Sequence, residues 1–166
     1  VDLSLLDGAM LAAGRLFSLR DRLHGAPGEG WDYPASLLHE AAVKTGLGIV
    51  ERHVGLTLTE GATPGFEARV SGTSRDLLLY NSLGFDVWVE AEADEKGIPE
   101  IRLVGIPQEH WRAPDVTAVA EWFPPGIIAL SDGGTDAAYE PSWTGRDGLL
   151  AKVYRLEGSE RVLLYK

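Results

Sequence analysis

One helical segment stands alone among strand-like patterns, and it limits the possible folds more than any other feature of this chain. Residues 34–45, PASLLHEAAVKT, place Leu37, Leu38, Ala41 and Ala42 at helical spacing. These four side chains predict an apolar helix face that packs against another layer of the protein. Because the rest of the chain is rich in strand patterns, that layer is expected to be a β-sheet.

Both ends of this helix carry residues that are typical of helix ends. Pro34 fits the first helical position, where its missing backbone N–H would have no partner within the helix. Gly46 follows the segment and predicts its C-terminal end. Glu40 and Lys44 are four residues apart, so they predict an ion pair on the exposed face.

Strand patterns occupy most of the chain after Gly46. Residues 87–93, VWVEAEA, alternate between apolar and polar side chains, which predicts a half-buried antiparallel strand. The turn DEKG then predicts a hairpin with residues 98–106, IPEIRLVGI. Further strands are predicted in LGIVERHVGLTLT, FEARVSG, DLLLYNS, VTAVAEWF and IIALSD, and in a closing hairpin, LLAKVYRLEGSERVLLYK.

These patterns predict an α+β fold, with a mainly antiparallel β-sheet and one prominent helix, about residues 34–45, packed on it. The length of 166 residues and the hydrophobic content of 45% suit a single domain over residues 1–166. Within it, residues 1–107 are interpreted as a core region and residues 108–166 as a β-rich C-terminal extension. No turn follows the final LLYK, so this extension is expected to continue beyond the chain.

The composition excludes several functions. The formal net charge of −10 argues against a general attraction to nucleic acid or to anionic lipid. The chain has no cysteine, so thiol catalysis, disulfides and cysteine zinc sites are excluded. No apolar run approaches the roughly 20 residues of a membrane-spanning helix. The first residues, VDLSLLDGAML, lack the basic lead of a secretory leader.

Five short motifs in a fixed order resemble the VanW family, which is named from an accessory gene of vancomycin-resistance clusters. The motif IVERH lies at residues 49–53, and PGFEARV at residues 64–70 resembles the family's PGxDATV strand. Asp76, Leu77 and Asn81 match its DLxFxN motif. DGAMLAAGRLFSL and GRDGLLAKVYR resemble two further family segments, near the start and the end of the chain.

Two positions depart from the family pattern. The resemblance aligns the cysteine of the family's glycine-rich turn with Asp32, and it aligns a second histidine with Gly55. A cysteine at a helix start would be activated by the helix dipole and by a neighbouring histidine such as His53. This chain is therefore interpreted as a divergent member without the family cysteine.

Asp32 and His53 are the candidate catalytic residues, and both have a structural interpretation as well. They could form a carboxylate–imidazole pair that acts in general acid–base catalysis. Alternatively, Asp32 caps the helix, since aspartate is among the preferred N-cap residues, and His53 is hydrogen-bonded at the edge of the core. A cleft between the helix start and the ERH strand would be lined by Trp31, Asp32, Tyr33, His39, Arg52 and His53, which are the predicted ligand-binding residues.

His39 and the tryptophans give weaker indications of a functional site. His39 is predicted on the polar face of the helix, and Val43 replaces the second histidine of the zinc-protease pattern, so no metal or other cofactor is expected. Trp31 and Trp143 lie in predicted loops and are candidates for stacking on a ligand. Trp88 and Trp122 lie within strand patterns and are assigned to the core.

Three hypotheses about function remain open from the sequence. The first is a non-catalytic VanW-like binding or accessory module, for which the resemblance implies the bacterial cell envelope, with a cell-wall fragment or an envelope protein as its partner. The second is a hydrolase that acts on a cell-wall peptide or sugar through Asp32 and His53. The third is a structural or partner-binding domain with no small-molecule site.

Overall fold

The computed structural model of the chain describes residues 1–25, 27, 30–72, 74–124 and 147–166. The elements in chain order are a 3-10 helix Leu3–Leu5, strands β1 Met10–Leu11 and β2 Leu16–Ser18, helices α1 Leu19–Arg22 and α2 Asp32–Thr45, and strands β3 Gly48–Glu51, β4 Leu78–Tyr80, β5 Val87–Ala93, β6 Pro99–Gly105, β7 Asp115–Phe123, β8 Gly148–Glu157 and β9 Glu160–Tyr165. This architecture confirms the predicted α+β class.

The strands of the described residues form three antiparallel sheets of three strands each. Their orders are β1-β5-β6, β2-β4-β3 and β7-β8-β9. The predicted hairpins β5–β6 and β8–β9 are both present, as their alternation and their turns required. The predicted strand FEARVSG is not formed; residues 66–70 are an extended segment that bonds to residue 53 through Arg69 N–H and the His53 carbonyl, 2.8 Å apart. The predicted strand IIALSD lies outside the described residues.

Helix α2 begins two residues earlier than predicted, at Asp32. Pro34 is therefore the third helical residue, a position that still needs no backbone donor. Gly46 ends the helix in the left-handed conformation, with a φ of 88°, and the Glu40–Lys44 ion pair is formed at 2.5 Å. The buried face is rotated from the predicted one, because Ala35, Ser36, Leu38, His39, Ala42 and Val43 are buried, whereas Leu37 and Ala41 are only half-buried.

The core consists of two clusters of unequal size. The main cluster joins α2 to the strands of the first two sheets and contains Leu38, Leu77, Leu79 and Val89. The second cluster is small, with only Val43, Phe66 and Val153 buried among the described residues, and partly buried apolar side chains around them. Val153 belongs to β8, the central strand of the sheet β7-β8-β9, which is called the C-terminal sheet below. This small cluster is therefore where the C-terminal sheet packs on the rest of the chain.

Two buried polar side chains hold irregular segments of the main core. The Asp76 carboxylate accepts hydrogen bonds from the Ser18 hydroxyl at 2.6 Å and from the Arg20 backbone N–H at 2.9 Å. The Asn81 side-chain amide donates to the carbonyls of Leu11 and Phe85, at 2.7 and 3.0 Å. Short strands leave some backbone N–H and C=O groups without a partner in the sheet, and these two side chains supply hydrogen bonds to such groups.

Candidate functional site

Asp32 connects the start of α2 to the extended segment rather than capping the helix. The N-cap residue is Trp31, which makes no side-chain capping bond. One Asp32 carboxylate oxygen accepts from the Val70 backbone N–H at 3.2 Å, and the other lies 3.7 Å from Arg69 Nε. The predicted helix cap is therefore wrong, because the carboxylate is turned toward a neighbouring segment that needs a backbone acceptor.

His53 is paired with a different carboxylate from the one predicted. Its Nε2 lies 2.8 Å from Glu51 Oε1, and both side chains are about two-fifths exposed. Among the described residues, no hydrogen bond joins Asp32 to His53. Residues 51 and 53 are two apart in an extended chain, so their side chains point the same way. That alternation was the sequence signal that could have identified Glu51.

The imidazole of His39 is fully buried, so its predicted place on the polar helix face is wrong. Its Nδ1 donates to the Phe66 carbonyl at 2.9 Å, and the Tyr165 hydroxyl lies 3.4 Å from its Nε2. Burial lowers the pKa of His39 from 6.5 to about 4, because the imidazolium loses its hydration, while the Phe66 carbonyl offsets only part of this loss. His39 is therefore a neutral structural residue at neutral pH.

Arg52 also has a structural role in the described residues. Its guanidinium donates to the Gly65 carbonyl at 2.8 Å and stacks over the Tyr165 ring at 4.4 Å from its centroid. Burial raises the pKa of the Tyr165 hydroxyl, so this group stays neutral and can donate to His39. Nothing in the sequence indicated Tyr165, which comes from the other end of the chain.

The burial of three tryptophans is the reverse of the prediction. Trp31, predicted to bind a ligand, is buried in the main core at 6% exposure. Trp122 and Trp88, predicted in the core, are 57% and 39% exposed. Tyr33 is half-buried, and Trp143 lies outside the described residues.

The alternation of β5 places Trp88 on the same face as Glu90 and Glu92, so the sequence pattern itself indicated that Trp88 meets solvent. For Trp122 in β7, no regular alternation of polar side chains indicated the exposed face.

A cleft of the described residues lies elsewhere, between the C-terminal sheet and the segment that follows β3. It has a volume of about 470 Å³. Its lining residues include Arg52, Leu56, Leu58, Gly65, Glu67, Trp122, Asp147, Gly148, Leu149, Leu150, Ala151 and Lys166. Of the six predicted ligand-binding residues, only Arg52 is among them.

The cleft exists because the C-terminal sheet overhangs the rest of the chain. Cross-strand pairing places Ala118 opposite Val153 and Trp122 opposite Leu149, all on the same sheet face by alternation. At the Val153 end this face is in close contact, since a β-carbon on Gly65, whose φ is 92°, would lie 2.9 Å from Val153 Cγ2. At the Trp122 end the same face covers the cleft.

The opposite wall is the chain from Val54 to Leu58, which bends at residues 56 and 57. It is held by Arg69, which donates to the Thr57 carbonyl at 2.8 Å. The Arg69 guanidinium also fills the space beside Gly55, where a β-carbon would lie 2.1 Å from Arg69 Cζ. Leu56 is fully exposed on this wall and Val54 is 54% exposed. Among the residues that the structure describes, the cleft therefore has apolar side chains on both sides.

Comparison of the chain with known protein families, with curated proteins and with solved structures gives no match. Within the described ranges there is no group of three histidine, aspartate or glutamate side chains that could hold a metal ion. The helices of those ranges include none that is long and apolar enough to cross a bilayer.

Replacing Asp32 by alanine is expected to lower the free energy of unfolding by about 1–2 kcal/mol. The Val70 N–H loses its acceptor, and a partly exposed ion pair with Arg69 adds little after solvent screening. Asp32→Asn, which keeps an acceptor oxygen, is expected to cost about half as much. Urea denaturation measures both changes. The exposed Glu60→Ala is the control, and an Asp32→Ala variant as stable as this control would contradict the prediction.

Proposed function

We propose that this chain is a non-catalytic VanW-like binding or accessory module associated with the bacterial cell envelope. Its support in the sequence is the ordered set of motifs that includes residues 49–53 and residues 64–70. The two segments run side by side in the fold, joined by the hydrogen bond between Arg69 and His53. The residue aligned with the family cysteine, Asp32, is engaged by Val70 and Arg69.

The observation that carries this proposal is the cleft beneath the overhanging half of the C-terminal sheet. It combines an exposed aromatic side chain, Trp122, with two cations, Arg52 and Lys166, and two carboxylates, Glu67 and Asp147. An aromatic face binds the apolar face of a sugar ring, while the charged groups can pair with carboxylates and amines. A cell-wall fragment carries all of these groups.

The residues first considered for catalysis, Asp32 and His53, favour binding over turnover. Asp32 is occupied by backbone and arginine contacts, and His53 is paired with Glu51 instead of Asp32. A catalytic pair would need its groups within hydrogen-bond reach of each other or of a shared substrate atom. Asp32 and His53 make no such bond in the described part of the chain, and neither of them lines the cleft.

Titration with soluble peptidoglycan fragments is expected to detect binding that depends on Trp122. Replacing Trp122 by alanine removes the largest aromatic surface of the cleft, so the dissociation constant should rise about tenfold or more. Isothermal titration calorimetry measures both constants. Trp88→Ala is the matched control, because Trp88 is also a partly exposed strand tryptophan but belongs to β5 in another sheet.

If Trp88→Ala weakens binding as much as Trp122→Ala does, the fragments do not bind in this cleft and the proposal is contradicted. The partly exposed His53–Glu51 pair favours the hydrolase as a second candidate function. The same titration tests it, because an enzyme would consume the fragments. Consumption of the fragments that is lost in His53→Ala would replace the binding proposal by the enzymatic one. No binding and no turnover would leave the third hypothesis, a structural or partner-binding domain.

A further inference from the structure

The C-terminal sheet is joined to the main core by one stretch of chain, residues 106–114. Up to Trp111 this stretch is attached to the core, because the indole packs edge-on against the Phe85 ring, with 5.5 Å between the ring centroids. Residues 112–114 then lead into β7, and the first two of them are exposed. This short run is therefore a hinge position, about which the sheet can move while the core stays in place.

Two side chains of the sheet are central to its contact with α2. Val153 of β8 shares the small buried cluster with Val43 and Phe66. The Tyr165 ring of β9 packs on the imidazole of His39, with 5.6 Å between the ring centroids, and its hydroxyl lies 3.4 Å from His39 Nε2. When the sheet is packed in this way, which is called docked below, it covers a titratable group.

The charges around His39 compensate only in part for a proton on the docked imidazole. The Arg52 guanidinium, 4.4 Å from the centroid of the tyrosine ring, adds a second positive charge. The Glu40 carboxylate is already paired with Lys44 at 2.5 Å, and Glu67 already accepts a backbone N–H at 2.8 Å. The side chains described around His39 are Glu40 and Lys44 of α2, Arg52 after β3, Phe66 and Glu67 of the extended segment, Tyr165 of β9, and Val116, Ala118 and Val153 of β7 and β8, which do not titrate.

Release of the sheet gives His39 a better environment for a second proton. Without Tyr165 its Nε2 would meet water, while its Nδ1 keeps the Phe66 carbonyl, a bond that favours the imidazolium. Burial lowers the pKa of His39 to about 4 in the docked state, and rehydration brings this pKa back toward 6.5. Docking is therefore strongest above pH 6.5 and becomes weaker as the pH falls to about 4.

We propose that His39 makes docking of the C-terminal sheet sensitive to acid, so that protonation of its imidazole releases the sheet as a unit from a main core that stays folded. The nine residue pairs between β7 and β8 hold the released sheet together. Among the described residues, the main cluster has 18 buried apolar side chains and the small cluster has three. The docking contact is therefore the weaker of the two and opens first.

Release would also separate the walls of the cleft, since Trp122 belongs to the sheet and Arg52 does not. The movement itself needs no ligand. Only its consequence for a bound ligand, which would be lost in acid, rests on the proposed function.

Single cysteines in the full chain measure the release, because the chain has no cysteine of its own. Val153→Cys reports the docking contact, and Val89→Cys, at an equally buried valine of β5, reports the main core. Each variant is treated with a dipyridyl disulfide, which reacts with thiols in acid as well, at pH 7, 6, 5 and 4. The labelling rate, divided by that of an unfolded peptide at the same pH, gives the equilibrium constant for opening.

The opening constant of Val153→Cys is expected to rise about a hundredfold from pH 7 to pH 4. The rise should be absent when His39→Gln is added. It should remain when His110→Gln is added, because His110 is exposed. At each pH the constant of Val153→Cys should exceed that of Val89→Cys about tenfold or more, since release does not unfold the main core.

Two results would overturn the inference. Equal opening constants at the two positions would mean that the sheet leaves only when the whole chain unfolds. A rise that persists with His39→Gln would assign the acid response to other groups. If His39→Gln does not fold, the curve of Val153→Cys alone still decides, because protonation of His39 begins near pH 6.5, whereas ordinary carboxylates take up protons only below about pH 5.

The outcomes separate this inference from the proposed function. If the opening constants behave as expected and no peptidoglycan fragment binds at pH 7, the inference stands and the proposed function falls. If fragments bind in a Trp122-dependent manner and Val153→Cys is protected as well as Val89→Cys, the proposed function stands and this inference falls.

Discussion

Replacing Asn81 by leucine is expected to lower the free energy of unfolding by about 4 kcal/mol. The buried side chain of Asn81 donates to the carbonyls of Leu11 and Phe85, and its carbonyl oxygen accepts from the Leu83 backbone N–H at 2.9 Å. Leucine has a similar shape but no polar atoms. Three backbone groups therefore lose their partners, each at a cost of about 1–3 kcal/mol.

Chemical denaturation of the wild-type chain and the variant measures this loss, since the midpoint should shift without a large change in slope. The control is the neighbouring Ser82→Ala, because Ser82 is exposed and its hydroxyl makes only a 3.4 Å bond to the Gly46 carbonyl. This control is expected to stay within about 0.5 kcal/mol of the wild type. An Asn81→Leu variant that loses less than about 1 kcal/mol would show that these contacts do not hold the segment.

Lowering the pH from 7 to 4 is expected to destabilise the chain by about 3 kcal/mol through His39 alone. The pKa of His39 is about 4 in the folded state against 6.5 for an ordinary histidine, so the unfolded state binds the proton more readily. The stabilisation that neutral His39 provides is fully present above pH 6.5 and is lost progressively as the pH falls to about 4. The loss then levels off, because both states are protonated.

Burial is the main reason why a charged His39 is disfavoured in the folded state, because the imidazolium would lose its hydration. Nδ1 already donates to the Phe66 carbonyl, so a second proton must enter at Nε2, opposite the Tyr165 hydroxyl. The Arg52 guanidinium above the Tyr165 ring opposes a further positive charge, while Glu40 favours it. Protonation therefore weakens the contact between α2 and β9, and with it the packing of the C-terminal sheet.

His39→Gln isolates this contribution, because its amide can replace both hydrogen bonds and does not titrate between pH 4 and 7. The free energy of unfolding is measured for both chains by urea denaturation at pH 7, 6, 5 and 4. The carboxylates titrate in both, so only the difference between the two curves reports His39. That difference should change by about 3 kcal/mol across the range, and two parallel curves would contradict the low pKa of this group.

The sequence motifs were informative about structure more than about chemistry. Asp76 and Asn81, singled out from the DLLLYN segment, are both buried polar anchors. The Glu51–His53 pair follows from a two-residue spacing that was visible in the motif ERH. Asp32 was correctly identified as a residue of the helix start, but its partner could not be predicted, because Val70 lies 38 residues away along the chain.

The sequence by itself determined the elements whose signals are local. Residues 32–45 form a helix because apolar spacing, a proline in the first turn and a glycine after the last turn all agree. The hairpins β5–β6 and β8–β9 form because alternation and a turn occur within one short segment. In each case the interacting groups lie within a few residues of one another.

Only the tertiary structure decided which faces are buried and where the cleft lies. His39 is buried because Phe66 and Tyr165, 27 and 126 residues away, come together over the helix. Trp122 is exposed because the C-terminal sheet packs on the core at its Val153 end and overhangs at the other. The period of a strand is a local property, whereas the choice of its buried face depends on packing between distant segments, which no local pattern encodes.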